Sequence, residues 1–232
     1  MTWFGQATRL AWATERTPAA AVVVYYELPM LEGQLVALAE APSWDHVAEM
    51  RIPVDPSGCA VEGVAASPSG RWAATQRSSG QGECGFDVID LESMERVGGV
   101  IEMYGYIFEP PAFAADEARV VACWAHDLGA FWAPDGYDED EPSPGGVVEL
   151  GALYEHRLDS HSLHTCALEL EVPEGWLPDD PYSPVWYGPT GLKCLEGGLR
   201  MVLPGGDIYE HGGPLPAVLR LPPLSAFGTI LE

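Results

Sequence analysis

Four histidines stand near one another in the chain: His126, then His156, His161 and His164. Neutral imidazoles are good transition-metal ligands, and a hairpin through 156–164 would let several of them approach across one turn. No His-x-His pair and no His-Glu-x-x-His motif accompanies them. Turn histidines are commonly plain surface polar groups, and that reading outweighs a metal site. Other constellations say less. No Gly-x-Ser-x-Gly elbow offers an activated serine. The glycine pairs Gly80/Gly82, Gly205/Gly206 and Gly212/Gly213 lack the strand-to-helix setting and the lysine of a phosphate loop. The 35 acidic residues always supply carboxylate pairs, so a hydrolase with a carboxylate or metal pocket stays an alternative without a residue to name. The expectation is a protein that is not an enzyme, with no catalytic residue and no cofactor.

The segment 128–146 has a different character. Phe131, Trp132 and Tyr137 lie beside Asp135, Asp138, Glu139, Asp140 and Glu141. Aromatic rings beside carboxylates suit a protein partner that presents arginine or lysine. A loop this long inside a compact β domain is either functional or disordered. The acid spacing does not match an EF-hand loop. These eight residues are the candidate partner-binding set; a solvated acidic loop is the plain alternative.

The whole chain shares that acidity. It carries 35 acidic against 11 basic residues, a net charge of −24, and Lys193 is its only lysine. Such a surface repels phosphate backbones and anionic lipid, so nucleic-acid and membrane partners are not expected, whereas a basic protein partner is. A general solubility bias would leave the same charge. Five cysteines, Cys59, Cys84, Cys123, Cys166 and Cys194, are widely spaced with no Cys-x-x-Cys pair. No secretory n-region and h-region opens the chain, and no apolar run is long enough for a membrane helix. A bacterial cytoplasmic location is the expectation.

What must position these residues is a set of short strands. Hydrophobic residues make up 47% of the 232 residues, which suits a globular core. Gly (26) and Pro (21) are abundant, which suits many tight turns and disfavours long helices. The clearest unit covers 61–103. A strand from Val61 reaches the turn Ser67-Pro68-Ser69-Gly70, and Arg71-Trp72-Ala73-Ala74-Thr75 forms the next strand. Gly85-Phe86-Asp87-Val88-Ile89-Asp90 is the third, and the turn Leu91-Glu92-Ser93-Met94-Glu95 leads into a fourth.

This unit resembles a blade of the WD40-like or YVTN-like β-propeller superfamily. Blades of that superfamily often carry an S-P-D-G turn between strands one and two and a D-L-x-T/S turn between strands three and four. The Trp-Asp dipeptide and Gly-His signature of true WD40 repeats are not at the expected places, so the resemblance is to the superfamily and not to one family.

The pattern recurs. Phe113–Arg119 followed by Val120-Val121-Ala122-Cys123-Trp124 matches the first turn and strand about 48 residues downstream. Leu158-Asp159-Ser160 matches the second turn, placing the best copies at 61–103 and 107–172. Gly188-Pro189-Thr190-Gly191 echoes the first turn for a last unit. Upstream, Ala21–Tyr26, Gln34–Leu38 and His46–Met50 supply strands of a first unit. The expectation is one all-β domain over 1–232, built from about four propeller-like four-stranded antiparallel repeats with an acidic insertion at 128–146; a β-sandwich is the alternative. Trp12, Trp72, Trp124 and Trp186 are expected in the core between repeats, and Trp44, Trp132 and Trp176 at exposed contacts. Residues 2–10 are expected to complete the last blade; an array left open would favour a homodimer. The leading functional expectation is a non-catalytic interaction scaffold, with an acidic immunity or inhibitor protein against a basic toxin or nuclease as its alternative.

Overall fold

The computed structural model describes residues 9–26, 34–52, 60–78, 83–104, 111–125, 145–172, 189–203 and 206–222. All regular structure among them is β. Strands β1 (Arg9–Ala13), β2 (Ala20–Tyr26), β3 (Gln34–Glu40) and β4 (Asp45–Ile52) form a first antiparallel meander. A second joins β5 (Ala60–Ala66), β6 (Trp72–Ser78), β7 (Glu83–Asp90) and β8 (Glu95–Tyr104). The third contains β9 (Ala112–Phe113), β10 (Arg119–Ala125), β11 (Gly146–Arg157) and β12 (Leu163–Val172). The fourth has β13 (Gly191–Leu195), β14 (Gly198–Val202) and β15 (Ile208–Gly212). These are the propeller-like repeats expected from sequence.

The sheets stack face to face, and strand alternation explains how. Along β2, Ala20, Val22 and Val24 face the second sheet while Ala21 and Val23 face the other way, and all five are buried. Across the first junction they meet Val61, Val64, Ala73 and Ile89. Phe86, Val88 and Trp72 of the second sheet meet Val120, Ala122 and Trp124 of the third. Leu150, Leu153 and Leu168 of the third meet Leu199, Met201 and Leu203 of the fourth. Burying one such large side chain contributes about 2–3 kcal/mol, so the junctions hold the array together. First strands touch in sequence, β1 on β5, β5 on β9 and β9 on β13, as they do around a propeller axis.

The repeated turns have repeated backbone geometry. In the first turn, Gly70 N–H donates to Ser67 O and Ser67 N–H to Trp72 O; Glu117 N–H to Ala114 O and Ala114 N–H to Arg119 O reproduce the pair. Gly70 and Glu117 both take positive φ, 73° and 55°, at the same turn position. Trp44, Met94 and His161 likewise share positive φ at one position of the third-to-fourth-strand turn. Turn chemistry, more than strand sequence, is what repeats.

The last unit forms its strands at β13, β14 and β15 as expected, with Glu196-Gly197 turning β13 into β14; the turn expected at 188–191 runs into β13 at Gly191, and Gly188 lies outside the described residues. Three expectations need correction. The last sheet has three strands among the described residues; the next strand, β16 (Val218–Arg220), pairs in parallel with β12 and widens the third sheet instead. The N-terminal strand β1 pairs with β2 in the first sheet, and residues 2–8 lie outside the described set. Trp12 is 52% exposed, since its neighbours Ala11 and Ala13 take the inward face; it stacks edge-on to half-buried Trp44 at 5.5 Å. Trp72 and Trp124 do sit in the junction core, while Trp132, Trp176 and Trp186 lie outside the described residues.

Candidate interaction face

The two ends of the stack differ. One carries the turns between first and second strands and between third and fourth. Antiparallel register fixes this: Ala66 pairs with Ala73, Trp72 with Asp90 and Asp90 with Glu95, so 67–71 and 91–94 share an end. The other end carries the paired strand ends Tyr26 and Gln34, Gln34 and Ile52, Ala60 and Ser78, and Glu83 and Tyr104, together with Ala125 and Gly146; residues 27–33, 53–59, 79–82, 105–110, 126–144 and 173–188 lie outside the described set.

At the turn end, polar side chains latch neighbouring sheets. Arg16 forms an ion pair with Glu40 of its own sheet and reaches Gly70 O in the next, 3.3 Å away, while Glu15 N–H donates to Pro68 O. The Glu117 carboxylate accepts from the Ser69 N–H and, at 2.7 Å, from its hydroxyl. Arg119 makes the third latch. It donates to Glu155 at 2.6 Å and to the carbonyls of Leu195 and Gly198 at 3.4 and 2.7 Å. Guanidinium suits this place because its fixed fork serves a carboxylate and two carbonyls at once.

Between the first and second sheets lies a buried ion group. Asp87, 3% exposed, meets Arg77 Nε at 2.8 Å and Arg96 Nε at 2.5 Å. Burial still holds the Asp87 carboxyl above its ordinary range, the two cations offsetting only part of that cost, and the group reads as structural.

The strand ends that bound the acidic insertion lie at the opposite end: β10 closes at Ala125 after the buried run Val121–Trp124, and β11 opens at Gly146. Gly145 and Gly146 have φ of 74° and 125°, and a Cβ on Gly146 would meet nothing within 4 Å. Glycine therefore turns the chain into β11 without a steric penalty. A bulge between Glu149 and Gly151 follows. Phe131, Trp132, Asp135, Tyr137, Asp138, Glu139, Asp140 and Glu141 themselves lie outside the described residues.

His156 and His161 come near one another, and His164 does not join them. Leu163 pairs with His156 and His164 with Glu155, so His156 and His164 fall on opposite faces of the hairpin. His156 is 2% exposed in the junction with the second sheet, its ring 6.0 Å from that of His161. Exposed His164 meets Pro216 O at 3.2 Å through Nε2. Among the described residues no group of three His, Cys, Asp or Glu is placed to hold a metal; His126 lies outside them. Three buried thiols are inert by environment. Burial pushes Cys123 up to about 12, and Cys166 and Cys194 up to about 11. The Arg119 latch and the buried His156 had no signal in the sequence, since only the stacking of sheets gives either residue its partners.

No family model matches the chain, and no curated protein matches it in sequence. Solved structures do resemble it. A complex of KlAtg21 with the coiled coil of AgAtg16 superposes with a TM-score of 0.53 at 12% identity, over 92% of this chain and 56% of that one. Hydrazine synthase of Kuenenia stuttgartiensis gives 0.49 at 14% identity, over 80% and 47%. The Dos1 propeller gives 0.41 at 10% identity, over 93% and 57%. The chain thus spans about half the length of these structures. At such identities the likeness is one of fold.

Proposed function

We propose that the chain is a non-catalytic protein-interaction scaffold of the β-propeller type, and that its partner docks on the end bearing the acidic, aromatic insertion. What supports this reading is the contrast between the ends: the turn end carries short turns latched sheet to sheet, while Ala125 and Gly146, the strand ends that bound the insertion, lie at the other end. Loops held on a rigid scaffold are the usual carriers of binding function. The superposed Atg21 structure is itself a complex with a coiled coil, which supports a protein as partner. Phe131, Trp132 and Tyr137 would supply contact area, and Asp135, Asp138, Glu139, Asp140 and Glu141 would select a basic surface.

The net charge of −24 favours a second reading, an acidic inhibitor of a basic toxin or nuclease. Salt separates the two. An inhibitor steered by charge loses association rate steeply as ionic strength rises, and a scaffold does so only modestly.

The test is capture of partners from the native host, identified by mass spectrometry, with wild type and a variant lacking 128–144. A partner held by wild type and released by the deletion, with unchanged circular dichroism, supports the face. Equal retention by both proteins removes the insertion from the interface.

A further inference from the structure

A cavity of about 630 Å³ opens at the turn end, between the third and fourth sheets. This is the end opposite Ala125 and Gly146, and nothing in the scaffold reading uses it. Three turns and the end of β15 build it: the β9–β10 turn, the β13–β14 turn, the chain leaving β11 at Arg157, and Gly213-Pro214. Its volume falls in the range of pockets that bind small ligands or peptide side chains.

The wall chemistry selects the guest. Two cations line the cavity, and both are engaged. Arg119 is spent on Glu155 and two carbonyls, and Arg157 is clamped to Asp159 at 3.1 and 3.3 Å. The carboxylates have capacity to spare. Glu155 is 7% exposed and, among the described residues, commits only Oε2, to Arg119. Asp116 accepts one backbone bond, from Ala118 N–H at 3.0 Å, and exposed Glu196 accepts none among the described residues. Glu155 and Asp116 both line this space, beside the Cys194 thiol, which burial pushes up to about 11 with lesser pushes from the two carboxylates. Ala114, Ala115, Leu195 and Pro214 add apolar wall. Acceptors with an apolar sleeve suit an ammonium or guanidinium on an aliphatic stem.

We propose that this cavity docks a lysine or arginine side chain of a protein partner, with Glu155 below it and Asp116 and Glu196 around it. The site would hold an anchor residue whose methylenes lie on the alanine and leucine surface. The volume exceeds one side chain and leaves room for the flanking peptide backbone.

The probes are three capped pentapeptides, glycine throughout except for a central arginine, lysine or norleucine, titrated into the full chain and followed by amide NMR. The arginine and lysine peptides should shift amides of 114–118 and 195–197, and the norleucine peptide should not. Asp116→Asn with Glu196→Gln keeps the turn acceptor at Ala118 and should weaken both basic peptides about tenfold. Glu155 is left intact in this test, because its loss would strand Arg119. A variant lacking 128–144 should bind the peptides like wild type, which keeps the outcome independent of the insertion. Equal shifts from norleucine, shifts confined to other amides, unchanged affinity in the double variant, or no shift with either basic peptide would each overturn the assignment.

Discussion

The imidazole of His156 rests on the backbone of Gly98: a Cβ built on that glycine would lie 2.1 Å from Cε1. Gly98 pairs with Val88 on β8, so the face it presents is the one that packs on the third sheet. A side chain there must displace a ring that is 2% exposed. Gly98→Ala is therefore expected to destabilise the fold by about 1–3 kcal/mol through overpacking. Gly212→Ala, where a Cβ meets nothing within 4 Å, is the control and should change stability by less than about 0.5 kcal/mol. Adding His156→Ala to Gly98→Ala should recover part of the loss, since the two groups compete for one space. Urea unfolding reads all three, and equal midpoints for the two alanine variants would refute the contact.

The same histidine gives the fold a pH dependence. Burial, and then the neighbouring His161, lower the His156 pKa below its ordinary 6.5, and its Nε2 finds no hydrogen-bond partner. The folded protein thus holds a neutral ring, while the unfolded chain takes up a proton near 6.5. Below that pH the unfolded state binds more protons, so stability is full above it and falls as pH drops through it. Unfolding midpoints compared at about pH 7.5 and about pH 5.5 should show this fall in wild type, and a smaller one in His156→Leu. The window lies above most carboxylate titration, and the groups against the ring are the Gly98 backbone and His161, which itself meets Trp72 edge-on. An identical fall in His156→Leu would assign the effect to other groups.

The fold was legible where local rules decide it. Ser67–Gly70, Leu91–Glu95 and Leu158–Ser160 announce turns, and each lies where strand alternation requires one. In the last unit the strands were legible, but the hairpin turn Glu196-Gly197 is too short to stand out. Nothing local shows that β16 joins β12, since a parallel pairing of three residues has no hairpin to betray it. The histidine cluster failed for a geometric reason. Sequence proximity put His156 and His164 on one hairpin, and the two-residue period sent them to opposite faces. The turn-end cavity was invisible because Arg119, Asp116, Glu155 and Glu196 lie on separate turns and strands that only sheet stacking unites.

That stacking can be probed at Arg119. Its guanidinium and the Glu155 carboxylate are each 10% exposed, so each depends on the other for the loss of water. Arg119→Ala leaves Glu155 buried without its cation and removes the bonds to Leu195 O and Gly198 O. We expect a loss of about 3–5 kcal/mol, at the upper end because two carbonyls are also stranded. Arg119→Met with Glu155→Leu should be less damaging than Arg119→Ala alone, because no unpaired charge remains. The damage should also be local first. Backbone amides of β13 and β14 should lose hydrogen-exchange protection before those of β6 and β7, since Arg119 ties the third sheet to the fourth and has no part in the first junction. Arg157→Ala, which removes an exposed pair with Asp159, should cost far less than Arg119→Ala. If Arg119→Ala costs no more than Arg157→Ala, or if protection falls evenly over all sheets, Arg119 is not the bond between the third and fourth sheets.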